Sequence, residues 1–176
     1  MKSDRSQIVL VIVCIILLTI NVFLIVQNSQ LKGSLERSRQ VVTEEGYRFS
    51  ELSFRGMDGN EEKINLANGE SKTLLLVFNS SCQYCKQQYP LWKELALKLD
   101  AGNWKVLAIS SEEDLEKLKA IIKDENFENI KVGSVGTDEM RRARMLFTPM
   151  TIAVDGTGEV KKVWTGLWTK GFDLPS

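Results

Sequence analysis

From Ile8 to Val26 the chain runs nineteen residues without a charge, a glycine or a proline: IVLVIVCIILLTINVFLIV. Wound as a helix at 1.5 Å per residue, such a run covers about 28 Å, close to the hydrocarbon core of a bilayer. A cleavable leader has a shorter apolar core, about 7–15 residues, followed by a small-x-small site. The flank IVQNSQLKG offers no such site. The pattern predicts an uncleaved transmembrane signal anchor over 8–26 behind a short tail, 1–7. Charge does not orient it: Lys2, Arg5 and the α-amine on one side nearly balance Lys32, Arg37 and Arg39 on the other. Residues 27–46 are polar, with Leu31, Leu35 and Val42 at loosely helical spacing, and read as a juxtamembrane linker. A dimerising coiled coil would need several sustained heptads, which this stretch lacks.

At Tyr47 the pattern changes to that of a layered domain, 47–176. The segments YRFSELSFRG and EKINL flank the turn signal Met57-Asp-Gly-Asn60 and predict a β-hairpin. TLLLVFN (73–79) is a continuous apolar run, as in a strand covered on both faces. A helix is predicted over 83–99, with Leu91, Leu95 and Leu99 stepping by four. WKVLAIS (104–110) is a second buried strand. Ser110 with Glu113, or Ser111 with Asp114, gives a capping-box signature for a helix carrying Leu115, Leu118 and Ile122. NIKVGSV then predicts a short strand, DEMRRARMLF a short helix, and MTIAVDGTGEVKKVWTG a strand, a Gly-rich turn and a strand. Strands alternating with helices, closed by an antiparallel hairpin, define an α/β fold with a central mixed sheet.

Composition narrows the chemistry. The 176 residues carry zero net charge at pH 7 and no long basic tract, so nothing points to nucleic acid. Arg141, Arg142 and Arg144 read as the solvated face of a helix. The chain has no histidine, which removes the usual general base and the commonest transition-metal ligand. Of three cysteines, Cys14 lies in the apolar span, and Cys82 and Cys85 stand three apart directly after the LLLVF strand. Zinc needs four ligands, and no second pair is present. A disulfide closing so short a loop would constrain the unfolded chain only weakly. A thiolate at a strand-to-helix junction is stabilised by unpaired backbone N–H groups and the helix dipole. Cys85, one turn further, can attack a mixed disulfide formed on Cys82. The pair reads as a redox couple, nucleophile first and resolving thiol second, with no metal and no cofactor.

The ordered set of motifs carries a resemblance: a strand, Cys82-x-x-Cys85 opening a helix, Pro90 five residues on, and later Thr148-Pro149 before MTIAVDGTGEV. It resembles the thioredoxin superfamily. The anchor, the lead-in hairpin and the inserted helix and strand make it similar to the membrane-anchored TlpA/ResA type of thiol–disulfide oxidoreductase. The resemblance implies a thioredoxin-like fold with an N-terminal hairpin, Cys82 exposed and attacking, Cys85 buried and resolving. Pro149 would be cis and face the disulfide. Thr148 would hold an extended partner, with Gln83 and Tyr84 as further substrate contacts, and Pro90 and Lys86 would modulate the helix and its thiols. It also implies protein dithiol or disulfide substrates, a membrane or exported thiol reductant as electron donor, and a domain outside the cytoplasmic membrane. Keeping haem-attachment or metal-site cysteines reduced, as in cytochrome c maturation, is a role of such proteins.

The sequence departs from that family at Ser81, where Trp is common, and at Tyr84, where Pro is common. Gln88 stands where many relatives carry Glu, and Leu76 where thioredoxins carry Asp, so neither position titrates. Water, Lys86 or the partner would then have to take the Cys85 proton. The sequence runs ten residues past Gly166, and either Trp164, Leu167, Trp168 and Phe172 or a partner is expected to cover the sheet face that a C-terminal helix usually covers. Two rivals share the residues: an oxidant or isomerase on the same fold, and an accessory binding module with weak catalysis. A peroxidase would want Pro-x-x-x-Thr/Ser-x-x-Cys around Cys82, which is absent.

Overall fold

The computed structural model describes residues 2–39, 42–99, 103–127, 130–169 and 173–175. The chain divides into two compact units, Met1–Gln40 and Val41–Ser176. The first is one helix, α1 (Lys2–Arg39). Its segment Ile12–Gln30 is long and apolar enough to cross a membrane, with a mean hydropathy of 2.2. The helix continues through most of the stretch expected to be a linker: Gln27–Arg39 contains one glycine, Gly33, and no proline to break it.

The second unit is built on a sheet whose strands lie in the spatial order Glu61–Asn65 (β2), Glu51–Gly56 (β1), Lys131–Ser134 (β5), Trp104–Ser110 (β4), Lys72–Phe78 (β3), Met150–Val154 (β6) and Val160–Thr165 (β7). The hairpin β1 (Glu51–Gly56) and β2 (Glu61–Asn65) forms one edge. β3 (Lys72–Phe78), β4 (Trp104–Ser110) and β5 (Lys131–Ser134) are parallel. β6 (Met150–Val154) pairs antiparallel with β3, and β7 (Val160–Thr165) pairs antiparallel with β6 to complete the sheet. Among the described residues three helices interleave: α2 (Gln83–Leu99), α3 (Leu115–Asp124) and α4 (Thr137–Arg142). Side chains on a strand alternate between faces, so β3 feeds two cores. Leu75 and Val77 join Leu52, Ile109, Met145 and Ile152 on one face; Leu74, Leu76 and Phe78 join Tyr89, Trp92, Leu118 and Phe127 on the other. That is why the run is apolar at every position.

The buried side of α2 is Cys85, Gln88, Tyr89, Trp92, Leu95 and Leu99, with Leu91 only half-buried. Trp92 is fully buried, and its Nε1 donates to Thr151 Oγ1 on β6 at 2.8 Å. Pro90 lies inside α2 on its exposed side, where water can reach the carbonyl that its missing N–H leaves unpaired.

Three boundaries differ from the sequence pattern. The globular unit takes in residues left to the linker: Val42 pairs with Met145, and buried Thr43 donates from Oγ1 to Ala143 O at 2.6 Å. The cap of α3 is Asp114, which accepts from Glu116 N and Lys117 N at 3.0 and 3.2 Å; neither serine forms the expected capping box. The helix expected over DEMRRARMLF stops at Arg142, leaving Leu146 and Phe147 exposed. At the C-terminal end Trp164 is buried and meets Trp168 edge to face at 6.2 Å, while Leu167 points outward. Trp168 and Leu174 pack on the α2 side of the sheet. Phe172 lies outside the described residues.

Candidate active site: two thiols one turn apart

β3 lies between β4 and β6, and its C-terminal end delivers the chain to α2 through Asn79–Cys82. Asn79 organises this turn. Its backbone oxygen accepts from Cys82 N at 3.1 Å, its Oδ1 from Ser81 N at 2.8 Å, and its Nδ2 donates to Ser111 Oγ at 2.8 Å. Ser80 Oγ donates to Glu112 Oε2, and the same carboxylate pairs with Lys117 Nζ at 2.7 Å. The Glu112 backbone is held in turn, its N–H donating to Ser110 Oγ at 3.1 Å and its carbonyl accepting from Ser134 Oγ at 2.6 Å. The Lys117 and Ser80 hydrogen bonds hold the Glu112 carboxyl down, at about 2, so it is ionised at any ordinary pH. The turn bearing Cys82 is thus tied to the loop after β4.

Cys82 and Cys85 are free thiols in different surroundings. Cys82 is partly exposed; Cys85 is fully buried. Cys82 Sγ lies 3.5 Å from Thr148 O, and the following Thr148–Pro149 peptide bond is cis, with Pro149 buried. Partial burial opposes ionisation of Cys82, but the Thr148 side chain, the Cys85 thiol and the backbone N–H groups of Cys85 and Tyr84 together outweigh it, and the thiol lies below its ordinary value. Those N–H groups belong to the first turn of α2, the position at which a helix stabilises negative charge. Burial pushes Cys85 up to about 12, opposed mainly by the Asn79 backbone and reinforced by Cys82. The leading influences on Cys85 contain no carboxylate.

Gln88, 1 % exposed, accepts from Trp168 N through Oε1 at 2.7 Å, tying α2 to the segment after β7. Its Nε2 is buried with no hydrogen-bond partner among the described residues. Gln83 and Lys86 are exposed, and Tyr84 is 62 % exposed. The structure therefore brings Cys82, Cys85, Thr148 and Pro149 together, with Gln83 and Tyr84 at the rim and Gln88 beneath. Sequence reasoning missed Asn79, Ser80, Ser111 and Glu112, joined across 32 positions, and the exposed Phe147 before Thr148. The one signal for them was a cluster of small polar residues at the C-terminal ends of two adjacent buried strands. A hollow of about 300 Å³ lined by Asn79, Ser111, Met140, Met145, Leu146 and Thr148 adjoins the site. A larger one, about 790 Å³ beside β1, β2 and α4, is lined by neither thiol.

A mixed sheet with helices on both faces, a dithiol at the start of α2 and a cis-proline beside its first sulfur define a redoxin of thioredoxin-like fold. The model of the AhpC/TSA family matches residues 46–176, and the chain belongs to that family. No curated protein sequence matches it. Among solved structures it is similar to the thioredoxin domain of a thiol-disulfide oxidoreductase from Bacteroides vulgatus, at 15 % identity and TM-score 0.60 over 69 % of this chain and 88 % of that one. StoA from Bacillus subtilis matches at 20 % identity and TM-score 0.56, covering 68 % and 90 %. A putative thiol:disulfide interchange protein DsbE from Chlorobium tepidum matches at 18 % identity and TM-score 0.60, covering 71 % and 87 %. At these identities what is shared is the fold.

Proposed function

We propose that the chain is a membrane-anchored thiol–disulfide oxidoreductase that reduces disulfides in exported protein partners. The observation that carries this reading is the contrast within one helical turn: a partly exposed Cys82 of lowered pKa against Thr148, and a buried Cys85 behind it. The Cys82 thiolate attacks one sulfur of a partner disulfide. A Cys82–partner bond forms, the partner's S–S bond breaks, and its other sulfur leaves as a thiolate that takes up a proton. Cys85 then loses its proton and attacks Cys82 Sγ. The partner departs as a dithiol carrying two electrons, and a Cys82–Cys85 disulfide remains for a membrane or exported thiol donor to reduce. Thr148, Pro149, Gln83 and Tyr84 form the surface on which the partner's chain lies. The apolar run 8–26 of α1 holds the domain at the outer face of the cytoplasmic membrane.

The test is a redox titration of the protein in graded thiol/disulfide buffers, with free Cys82 and Cys85 counted by alkylation. A reversible two-electron couple near or below about −250 mV supports the reductant, and one near about −150 mV makes it an oxidant or isomerase. A second reading, an accessory module that binds through Thr148-Pro149 with little catalysis, is favoured by one observation: nothing near Cys85 favours its ionisation enough to offset burial. A Cys82→Ser/Cys85→Ser protein that keeps full partner affinity, together with a wild-type pair that does not cycle, selects that reading.

A further inference from the structure

Leu10, Leu17, Leu24 and Leu31 recur at intervals of seven, and Cys14, Asn21, Asn28 and Leu35 recur at the same interval four positions later. All eight positions lie on the uninterrupted helix α1. On a helix both series fall along one stripe, which drifts about 20° per heptad, and a left-handed supercoil of two helices takes up that drift. The linker taken alone has too few heptads for a coiled coil, but the register does not begin there. It runs through the apolar span and continues into Leu31 and Leu35.

The stripe carries Asn21, the one amide side chain within the apolar run Ile8–Val26. Asn21 lies one turn beyond Leu17, the centre of the apolar run Ile8–Val26, and is exposed in its unit, as are Cys14, Leu17, Leu24 and Asn28. Thr19, off the stripe, returns its hydroxyl to Ile16 O at 2.8 Å and so satisfies its one donor locally. Asn21 donates to Leu17 O at 2.8 Å, which uses one of two amide hydrogens and leaves the side-chain oxygen outside that bond. Within the hydrocarbon span no water reaches the remaining groups, and leaving them unpaired is costly. The group that meets both a free donor and a free acceptor at the same depth is the same amide on another copy, because an amide pair is self-complementary across a twofold axis.

We infer that the chain pairs with a second copy of itself in the membrane, its α1 helices parallel, with Leu at one seam position and Asn21 facing Asn21 at the other. This rests on the membrane reading given above. Two dithiol domains then share one anchor, and a partner disulfide meets them at raised local concentration.

The test uses the full chain carrying Cys82→Ser and Cys85→Ser, so that Cys14 is its one thiol, reconstituted in phosphatidylcholine vesicles and treated with a lipid-permeable oxidant. The expected result is a disulfide-linked dimer through Cys14. With Cys14→Ser added, a thiol moved to the stripe (Leu17→Cys, Leu24→Cys) crosslinks and one moved to the opposite side (Ile16→Cys, Phe23→Cys) does not. Asn21→Leu lowers the dimerisation constant by about threefold to thirtyfold, and Asn21→Gln retains it. A chain that alkaline carbonate strips from the vesicles overturns the anchor and the pairing together. A chain that resists carbonate but crosslinks equally at every position, or pairs as well with Asn21→Leu as without it, overturns the pairing and leaves the anchor standing.

Discussion

The two cysteines at the mouth of α2 hold the same functional group in opposite surroundings. Around Cys82 the neighbours are polar and tied to one another: Asn79 to Ser111, Ser80 to Glu112, the thiol itself against Thr148 O. Three residues later Cys85 is fully buried with Leu74, Leu76, Phe78, Tyr89 and Trp92. The first thiol lies below its ordinary value, and burial pushes the second up to about 12. Spacing alone puts two sulfurs within reach of each other. Their division of labour comes from depth: the thiol at the helix mouth meets unpaired N–H groups, and the one a turn inside meets hydrocarbon.

Removing one side of this contrast has the largest effect. Cys82→Ser abolishes disulfide exchange, leaving the rate of the solvent thiol alone, whereas Cys85→Ser accumulates a mixed disulfide on Cys82 that mass spectrometry detects after acid quench. Opening the apolar turn to water comes next. Trp92→Ala removes a fully buried side chain of the cluster that holds Cys85, with its bond to Thr151, and is expected to cost about 3–5 kcal/mol in chemical denaturation. With water admitted, the Cys85 pKa falls, which alkylation against pH detects.

Supplying the missing base is a smaller step. Gln88→Glu keeps an oxygen for Trp168 N and places a titratable carboxylate one turn from Cys85. Resolution of the mixed disulfide near neutral pH should accelerate about tenfold, at a cost of about 1–3 kcal/mol in stability for the buried acid. An unchanged rate in stopped-flow exchange would show that proton removal does not limit the second step. The polar turn is expected to be the more tolerant. Ser80→Ala loses one hydrogen bond to a carboxylate that still holds Lys117, and should cost about 1 kcal/mol while Cys82 keeps its lowered pKa.

Much of this contrast was legible in the chain itself, and what escaped has a common cause. The β3 run and the cysteine pair at its end are local patterns that name their own structural context, whereas the place of Pro149 beside the thiol followed from the family resemblance. The loop network is not local: Ser80 meets Glu112 and Asn79 meets Ser111 because β3 and β4 run parallel in register, a fact of pairing that no window of sequence contains. The same holds where Thr43 reaches Ala143 across 100 positions and draws residues 42–46 into the domain. The capping error at α3 is of another kind. Three candidate caps crowd Ser110–Asp114, and two of them, Ser110 and Ser111, are engaged elsewhere as acceptors for Glu112 N and Asn79 Nδ2. Gln88 shows the reverse lesson. Its residue type alone said that it could not titrate; its burial beneath the site gives that absence consequence.

The most direct test of the nucleophile-and-resolver account is the pH dependence of alkylation of the two cysteines in the reduced protein, each followed separately by peptide mass spectrometry. Because the thiolate reacts and the thiol does not, each rate climbs with pH and levels off above that group's pKa. The account expects Cys82 to level off below the range of an ordinary thiol, and Cys85 to stay unreactive until pH approaches about 12. Two superimposed profiles, or a Cys85 that reacts first, would contradict it.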